Sequence, residues 1–171
     1  AIDINMGCPV KFSVQGGMGS ALLSKPETIR DILTTLRRNL PASLPVTCKS
    51  RLLDATRETL QLARLIESCG VAALAIHARR RHDRPRHWAQ WDQFRLLRES
   101  IPASLPLILN GDVFAPADVP RAFELTKADS LMLARGALWN PSIFRVGSGE
   151  AMATQARCVA RYFELGELTG C

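Results

Sequence analysis

No run of about eighteen apolar residues occurs in this 171-residue sequence, so no stretch of it reads as a membrane span. No basic, apolar, small-residue leader opens it, so nothing argues for secretion. No CxxC and no close pairing of cysteine with histidine is present, which speaks against zinc, and no metal is expected. The five cysteines are scattered and odd in number, which speaks against a disulfide framework. A reducing, cytoplasmic setting is the simplest reading. The glycine-rich GGMGS at 16–20 is followed by no GK[ST] and does not spell GxGxxG, so neither phosphate-loop fingerprint is met.

What is there is ordinary material for a globular domain: 47% hydrophobic and 22% charged residues, with a formal net charge of +6. The charge is uneven. Arginines crowd into RRRHDRPRH at 79–87, which favours a polyanionic partner, although a solvated basic loop reads the same way.

Apolar runs alternate with helical patterns along the chain. Ala1–Met6, Val46–Arg51, Val71–Ala78, Leu105–Asn110 and Ser130–Arg135 read as five strands, uniformly apolar and therefore covered on both faces. SKPE at 24–27 reads as a capping box opening a helix that carries Ile29, Ile32, Leu33 and Leu36. Asp54 is the expected cap of the next helix, with Leu60, Ala63 and Ile66 inward. Trp88–Ser100, Asp118–Leu125 and Met152–Leu165 are the remaining helix candidates. Repeated β–α units predict a parallel α/β fold. Each strand ends in polar residues or glycine, which is how a TIM barrel gathers its active site at one mouth. With five strands and no opening methionine, the chain reads as the later part of such a barrel over residues 1–146. A linker and the start of a helical segment are expected over 147–171.

Cys8 stands in a glycine–proline turn just past the first strand. Such a position suits a displayed thiol, and equally a small buried hydrophobe. Lys49 and Arg51 alternate with Cys48 and Ser50, so both point to one face of their strand. His77 ends an apolar strand, as a functional group or as a satisfied structural one. Asn110-Gly111-Asp112 and Ala134-Arg135-Gly136 close the last two strands, where barrels often hold a phosphate and where Arg135 suits a phosphate fork; ordinary tight turns are the bland alternative.

NMGCP, GGMGSALL, CKSR, IHAR, NGD and MLARGALWNPSIF occur together and in order, from residue 1 to about Phe144. In this the chain resembles the tRNA-dihydrouridine synthases. GGMGSALLS, VTCK and WNPSIF are most similar to the eukaryotic-type enzyme acting at position 20. The resemblance implies a flavoprotein that reduces the C5–C6 double bond of a uridine in tRNA, with NADPH as reductant. FMN would carry hydride to C6, and Cys8 would protonate C5. A thiol with an ordinary pKa of about 8.5 stays protonated at neutral pH unless cations lower it. The resemblance further implies FMN contacts from Lys49, His77, Asn110, Gly111, Asp112, Ala134 and Arg135. Asn5 and Arg51 would face the base, and Arg79, Arg80 and Arg81 would meet tRNA phosphates at the rim. Ala134 stands where the family usually has glycine, and the family's early strands and most of its helical domain have no counterpart. The isolated stretch is therefore expected to retain flavin weakly or not at all. The competing readings are another FMN-dependent barrel, such as a dihydroorotate dehydrogenase-like enzyme, and an inactive remnant that only binds RNA.

Overall fold

The structure is a computed structural model that describes residues 1–145 and 151–169. The expected boundary between barrel and linker, at residues 146 and 147, lies outside the described residues. Five parallel strands form one sheet in sequential order: β1 (Ile2–Asn5), β2 (Val46–Leu52), β3 (Ala73–Arg80), β4 (Leu107–Asn110) and β5 (Ser130–Met132). Between them run α1 (Lys11–Gln15), a 3-10 turn (Gly19–Ser24), α2 (Pro26–Asn39), α3 (Thr56–Ser68), α4 (Trp91–Ser100) and α5 (Asp118–Thr126). After β5 come α6 (Arg135–Trp139), a second 3-10 turn (Pro141–Arg145) and α7 (Gln155–Thr169). Sequential strand order with helical crossovers is the arrangement of part of a (β/α)8 barrel.

The helices pack against one face of the sheet. Ile29 and Leu33 of α2, Leu62, Ala63 and Ile66 of α3, and Phe94 and Leu97 of α4 are buried there. They share a single core with Val46, Cys48, Leu74, Ile76, Leu107 and Leu109 from the strands. Burial on this scale, at about 1.5–3 kcal/mol for each large aliphatic side chain, is what holds the helices to the sheet.

The strands are not uniformly apolar on both faces, as the sequence suggested. Asp3, Asn5, Thr47, Lys49, Arg51, His77 and Arg79 occupy the alternate positions, and the Thr47 hydroxyl donates to Asp3 at 2.7 Å across β1 and β2. This second face is the interior of the curved sheet, and its polar residues concentrate toward the strand ends. Register sets them in rows: Asn5 lies opposite Lys49, Arg51 opposite His77, and His77 opposite Asn110.

Two helix starts differ from expectation. The residues up to Ser24 are already wound into the 3-10 turn, so the Ser24 hydroxyl donates back to the Ala21 carbonyl at 3.0 Å, and Lys25 precedes α2 without a side-chain cap. Asp54 caps nothing. Ala55 precedes α3, where the Leu53 N–H donates to the Thr59 hydroxyl at 3.0 Å. Asp54 instead lies 3.6 Å from His82 across the surface. The last helix forms a few residues later than the expected Met152–Leu165 and buries none of its residues; its Val159 and Phe163 are exposed.

Candidate active site

The strand ends converge on one mouth with two walls. The first is built by β1 and β2. Past β1 the Asn5 side-chain oxygen accepts the N–H groups of Gly7 and Cys8, at 3.0 and 3.2 Å. This local turn, of a kind asparagine forms readily, sets the Cys8 thiol at the end of the strand. Asn5 was expected to face a substrate base; its oxygen is instead occupied in building the cysteine turn. Gly19 holds that turn from behind. Its φ is +56°, and a Cβ there would lie 2.6 Å from the Cys8 carbonyl oxygen, so glycine alone fits. The adjacent Ser20 N–H donates to that same carbonyl at 2.9 Å.

The Cys8 thiol is held below the ordinary cysteine range. The main cause is the Ser13 hydroxyl of α1, which donates to the sulfur at 3.5 Å; the Val10 N–H adds to it, and the charges of Arg51 and Lys49 act in the same direction against some burial. Nothing in the sequence analysis singled out Ser13, which lies in the short helix α1 between the cysteine turn and the glycine-rich stretch. The other thiols differ. Burial pushes Cys48 up to about 12 and also raises Cys69.

Lys49 is half-buried, and its ammonium makes no hydrogen bond or ion pair among the described residues. Burial, and the neighbouring Arg51, lower its affinity for a proton. Arg51, expected to face substrate, is buried and bound to backbone. Its Nε donates to the Gly7 carbonyl at 2.6 Å and its Nη1 to the Arg80 carbonyl at 3.1 Å. It ties the cysteine turn to the end of β3, next to a register shift between Arg51 and Leu52.

The second wall is built by β3, β4 and β5, and its centre is Asp112. Arg79 was expected at the solvent rim. It is instead 2% exposed, with its Nη2 donating to both Asp112 carboxylate oxygens at 2.6 and 2.7 Å. Asp112 also accepts from Arg135 Nη2 at 2.9 Å and from the Ala89 N–H at 2.6 Å. Asp112 therefore anchors two guanidiniums and is not free for a phosphate, which its charge would repel. Arg79 Nη1 lies 3.2 Å from His77 Nε2. A guanidinium can only donate, so Nε2 accepts and the ring proton sits on Nδ1. Burial, with Arg51, Lys49 and Arg79 nearby, pushes His77 down to about 3, so the ring is neutral. Asn110 is buried and donates to the Met132 carbonyl at 2.7 Å, fastening β4 to β5. Gly111 and Asp112 both adopt positive φ, +126° and +59°.

His77, Asn110, Gly111, Asp112, Ala134 and Arg135 together line one recess of about 50 Å³, with Phe114 at its edge. An adjoining recess of about 80 Å³ joins His77 and Arg135 to Arg51, Arg79 and Asp83. Clefts of about 460 and 670 Å³ lie elsewhere, beside α3 and beside α7, and of the expected site residues only Arg81 borders one of them. Past β3, Arg81, Arg84 and Arg86 are exposed and make no ion pair among the described residues. Arg80 is half-buried, with a buried Nε lacking a hydrogen-bond partner. The Arg79–Arg81 series thus divides: the first arginine is structural, and the third stands free.

The two walls touch one electrostatic field, since Cys8, Lys49, Arg51 and His77 each feel their neighbour's charge. The unpartnered Lys49 ammonium on the first wall, and the neutral His77 ring beside Arg135 on the second, are the groups that could hold an anionic ligand. Among solved structures, the dihydrodipicolinate synthase of Acinetobacter baumannii aligns with 78% of this chain and 54% of its own, at TM-score 0.53 and 15% identity. A second dihydrodipicolinate synthase aligns at TM-score 0.53 and 16% identity, covering 81% of this chain and 57% of its own. They share the barrel fold, of which this chain forms an open part. The family described as dihydrouridine synthase (Dus) matches residues 1–165, and the chain belongs to it. The tRNA-dihydrouridine(16/17) synthase [NAD(P)(+)] of Saccharomyces cerevisiae is 34% identical over 86% of the chain. The tRNA-dihydrouridine synthase B of Vibrio cholerae is 39% identical over 84%, and the mouse tRNA-dihydrouridine(20a/20b) synthase-like protein is 32% identical over 84%. The chain spans 35% of the length of the yeast relative and 44% of each of the other two. Membership sets aside the dihydroorotate dehydrogenase-like alternative.

Proposed function

We propose that the full-length protein reduces the C5–C6 double bond of a uridine in tRNA, with Cys8 donating the proton to C5. The observation that supports this reading is Cys8 itself: a thiol displayed by an asparagine turn, on the same wall as Lys49, with its pKa lowered by Ser13. A lowered pKa makes the thiol a stronger acid, and the Ser13 hydroxyl can steady the sulfur's charge once the proton has left. Hydride chemistry would come from bound FMN, recharged by NADPH. Lys49, His77, Gly111, Ala134 and Arg135 would hold that group. The Lys49 ammonium favours negative charge on it, the neutral His77 offers an Nδ1–H, and Arg135 offers a phosphate contact. Asn110 and Asp112 act behind these residues, fixing β5 and Arg135. The free guanidiniums of Arg81, Arg84 and Arg86 suit tRNA phosphates, and we place the protein's work in the cytoplasm.

The test is the full-length protein with NADPH and unmodified tRNA, with dihydrouridine read position by position. Motif similarity favours position 20. The wild type should form dihydrouridine, and absence of product refutes the reading. Cys8→Ala should nearly abolish product while leaving flavin absorbance intact; undiminished turnover would assign the proton to another group.

A further inference from the structure

We propose that the Phe114–Trp139 pair is a stacking platform for an unpaired base of the RNA, beside the base that reacts. The proposal rests on the reading of the substrate as tRNA. Phe114 follows β4 and Trp139 ends α6, so both rise from the mouth's second wall. Their rings stack with centroids 5.1 Å apart and planes 16° from parallel. Phe114 is flanked as well by Arg135, whose guanidinium carbon lies 4.9 Å from the ring centroid. That guanidinium is itself tied to Asp112. The Phe114 N–H donates to Asp118 at 2.8 Å, which fixes the backbone beneath the ring. Gly136 makes the approach possible, because a Cβ there would meet the Val113 carbonyl oxygen at 2.5 Å and Phe114 Cα at 3.1 Å. The pair is thus held in advance from three directions.

Trp139 is nevertheless 58% exposed. Described residues on either side are tied together close by: Asn140 Nδ2 donates to the Ala153 carbonyl at 2.8 Å, and the Ala153 N–H donates to the Ser142 hydroxyl at 2.9 Å. A flat, rigid, half-uncovered indole offers a π-face of the kind enriched where partners dock. The surroundings say which partner. Phe114 and Arg135 line the recess that holds His77 and Asn110, and Arg135 borders the arginine-rich side as well. Arg84 and Arg86, on either side of Pro85 in the adjoining recess, are exposed and make no ion pair among the described residues. Negative charge joined to a π-face describes a single-stranded nucleotide, and base–aromatic stacking with nearby cations is how proteins hold one.

The experiment is a titration of the full-length protein with unmodified, end-labelled tRNA, repeated over a series of salt concentrations. Trp139→Ala should weaken binding about tenfold. Trp139→Phe, which keeps a π-face, should stay within about twofold of wild type. The slope of log Kd against log salt should be the same in all three, since no phosphate contact is removed. A Trp139→Ala protein that binds within about twofold of wild type overturns the proposal. So does a Phe variant as weak as the Ala variant. If a further segment of the polypeptide covers Trp139, Trp139→Ala will lower the melting temperature and spare tRNA affinity, and that also overturns it. A wild type that makes no dihydrouridine would instead refute the functional reading. One that makes dihydrouridine while Trp139→Ala binds normally refutes the platform alone.

Discussion

The two walls of the mouth are built in opposite ways. On the β3–β5 wall nearly every polar group is committed: Asp112 accepts from Arg79, Arg135 and Ala89, Arg79 reaches His77, and Asn110 fastens Met132. On the β1–β2 wall, Lys49 has no partner among the described residues, and Cys8 is held by the weak donation of one hydroxyl at 3.5 Å, while Val10, Phe12 and Met18 around it are exposed. One wall is set before any ligand arrives. The other leaves its reactive groups free to engage one. Substitutions on the two walls should therefore fail differently, in chemistry on one side and in folding on the other.

The largest effect expected is chemical. Loss of the Cys8 proton donor should cut product formation by roughly 10²–10⁴-fold without moving the urea midpoint. A large loss of stability in Cys8→Ala would break the contrast between the walls. On the second wall, Asp112→Asn keeps a residue that tolerates the left-handed backbone and removes the charge. Arg79 would then be a buried cation without its counter-charge, and urea denaturation should register a loss of about 3–5 kcal/mol. A loss under about 1 kcal/mol would mean that Arg79 finds other partners or water.

A smaller effect concerns pH. His77 is pushed down to about 3 in the folded protein, whereas the unfolded chain takes up a proton near its ordinary value of 6.5. Its contribution to stability is thus complete above about 6.5 and is lost as pH falls toward 3. Urea midpoints measured over that window should fall less steeply for His77→Gln than for wild type; equal slopes would place the proton uptake elsewhere. The smallest effect is on the first wall. Ser13→Ala removes the chief cause of the lowered Cys8 pKa, so the pH profile for alkylation of the Cys8 peptide should move upward. An unchanged profile would assign the shift to the Val10 N–H, with Arg51 and Lys49 behind it.

The alternation of apolar strands with helical periods was enough to read all five strands and the sequential sheet, because burial against helices leaves a strong pattern in the outward residues. The inward residues were harder. Lys49 and His77 stood out because a charged or titratable group interrupts an apolar run. The fate of Arg79 did not, because its partner Asp112 lies 33 positions away and a guanidinium looks the same in sequence whether it meets a carboxylate or water. Asn5 and Arg51 were seen as site residues, but their hydrogen bonds to nearby backbone can be read only in three dimensions. The SKPE box failed because the preceding 3-10 turn had already claimed the serine, a competition that local capping patterns do not register. Phe114 and Trp139 stand far apart along the chain and carry no joint signal until α6 folds back over the loop.

Gly19 gives the cysteine turn its stiffness. With 2.6 Å between a would-be Cβ and the Cys8 carbonyl oxygen, the second loop acts as a mechanical stop against which the first one rests. The sulfur can swing about its own side-chain bond, but its main chain cannot retreat from an incoming ring. Even an alanine at this spot would act as a wedge, shifting the thiol's reach.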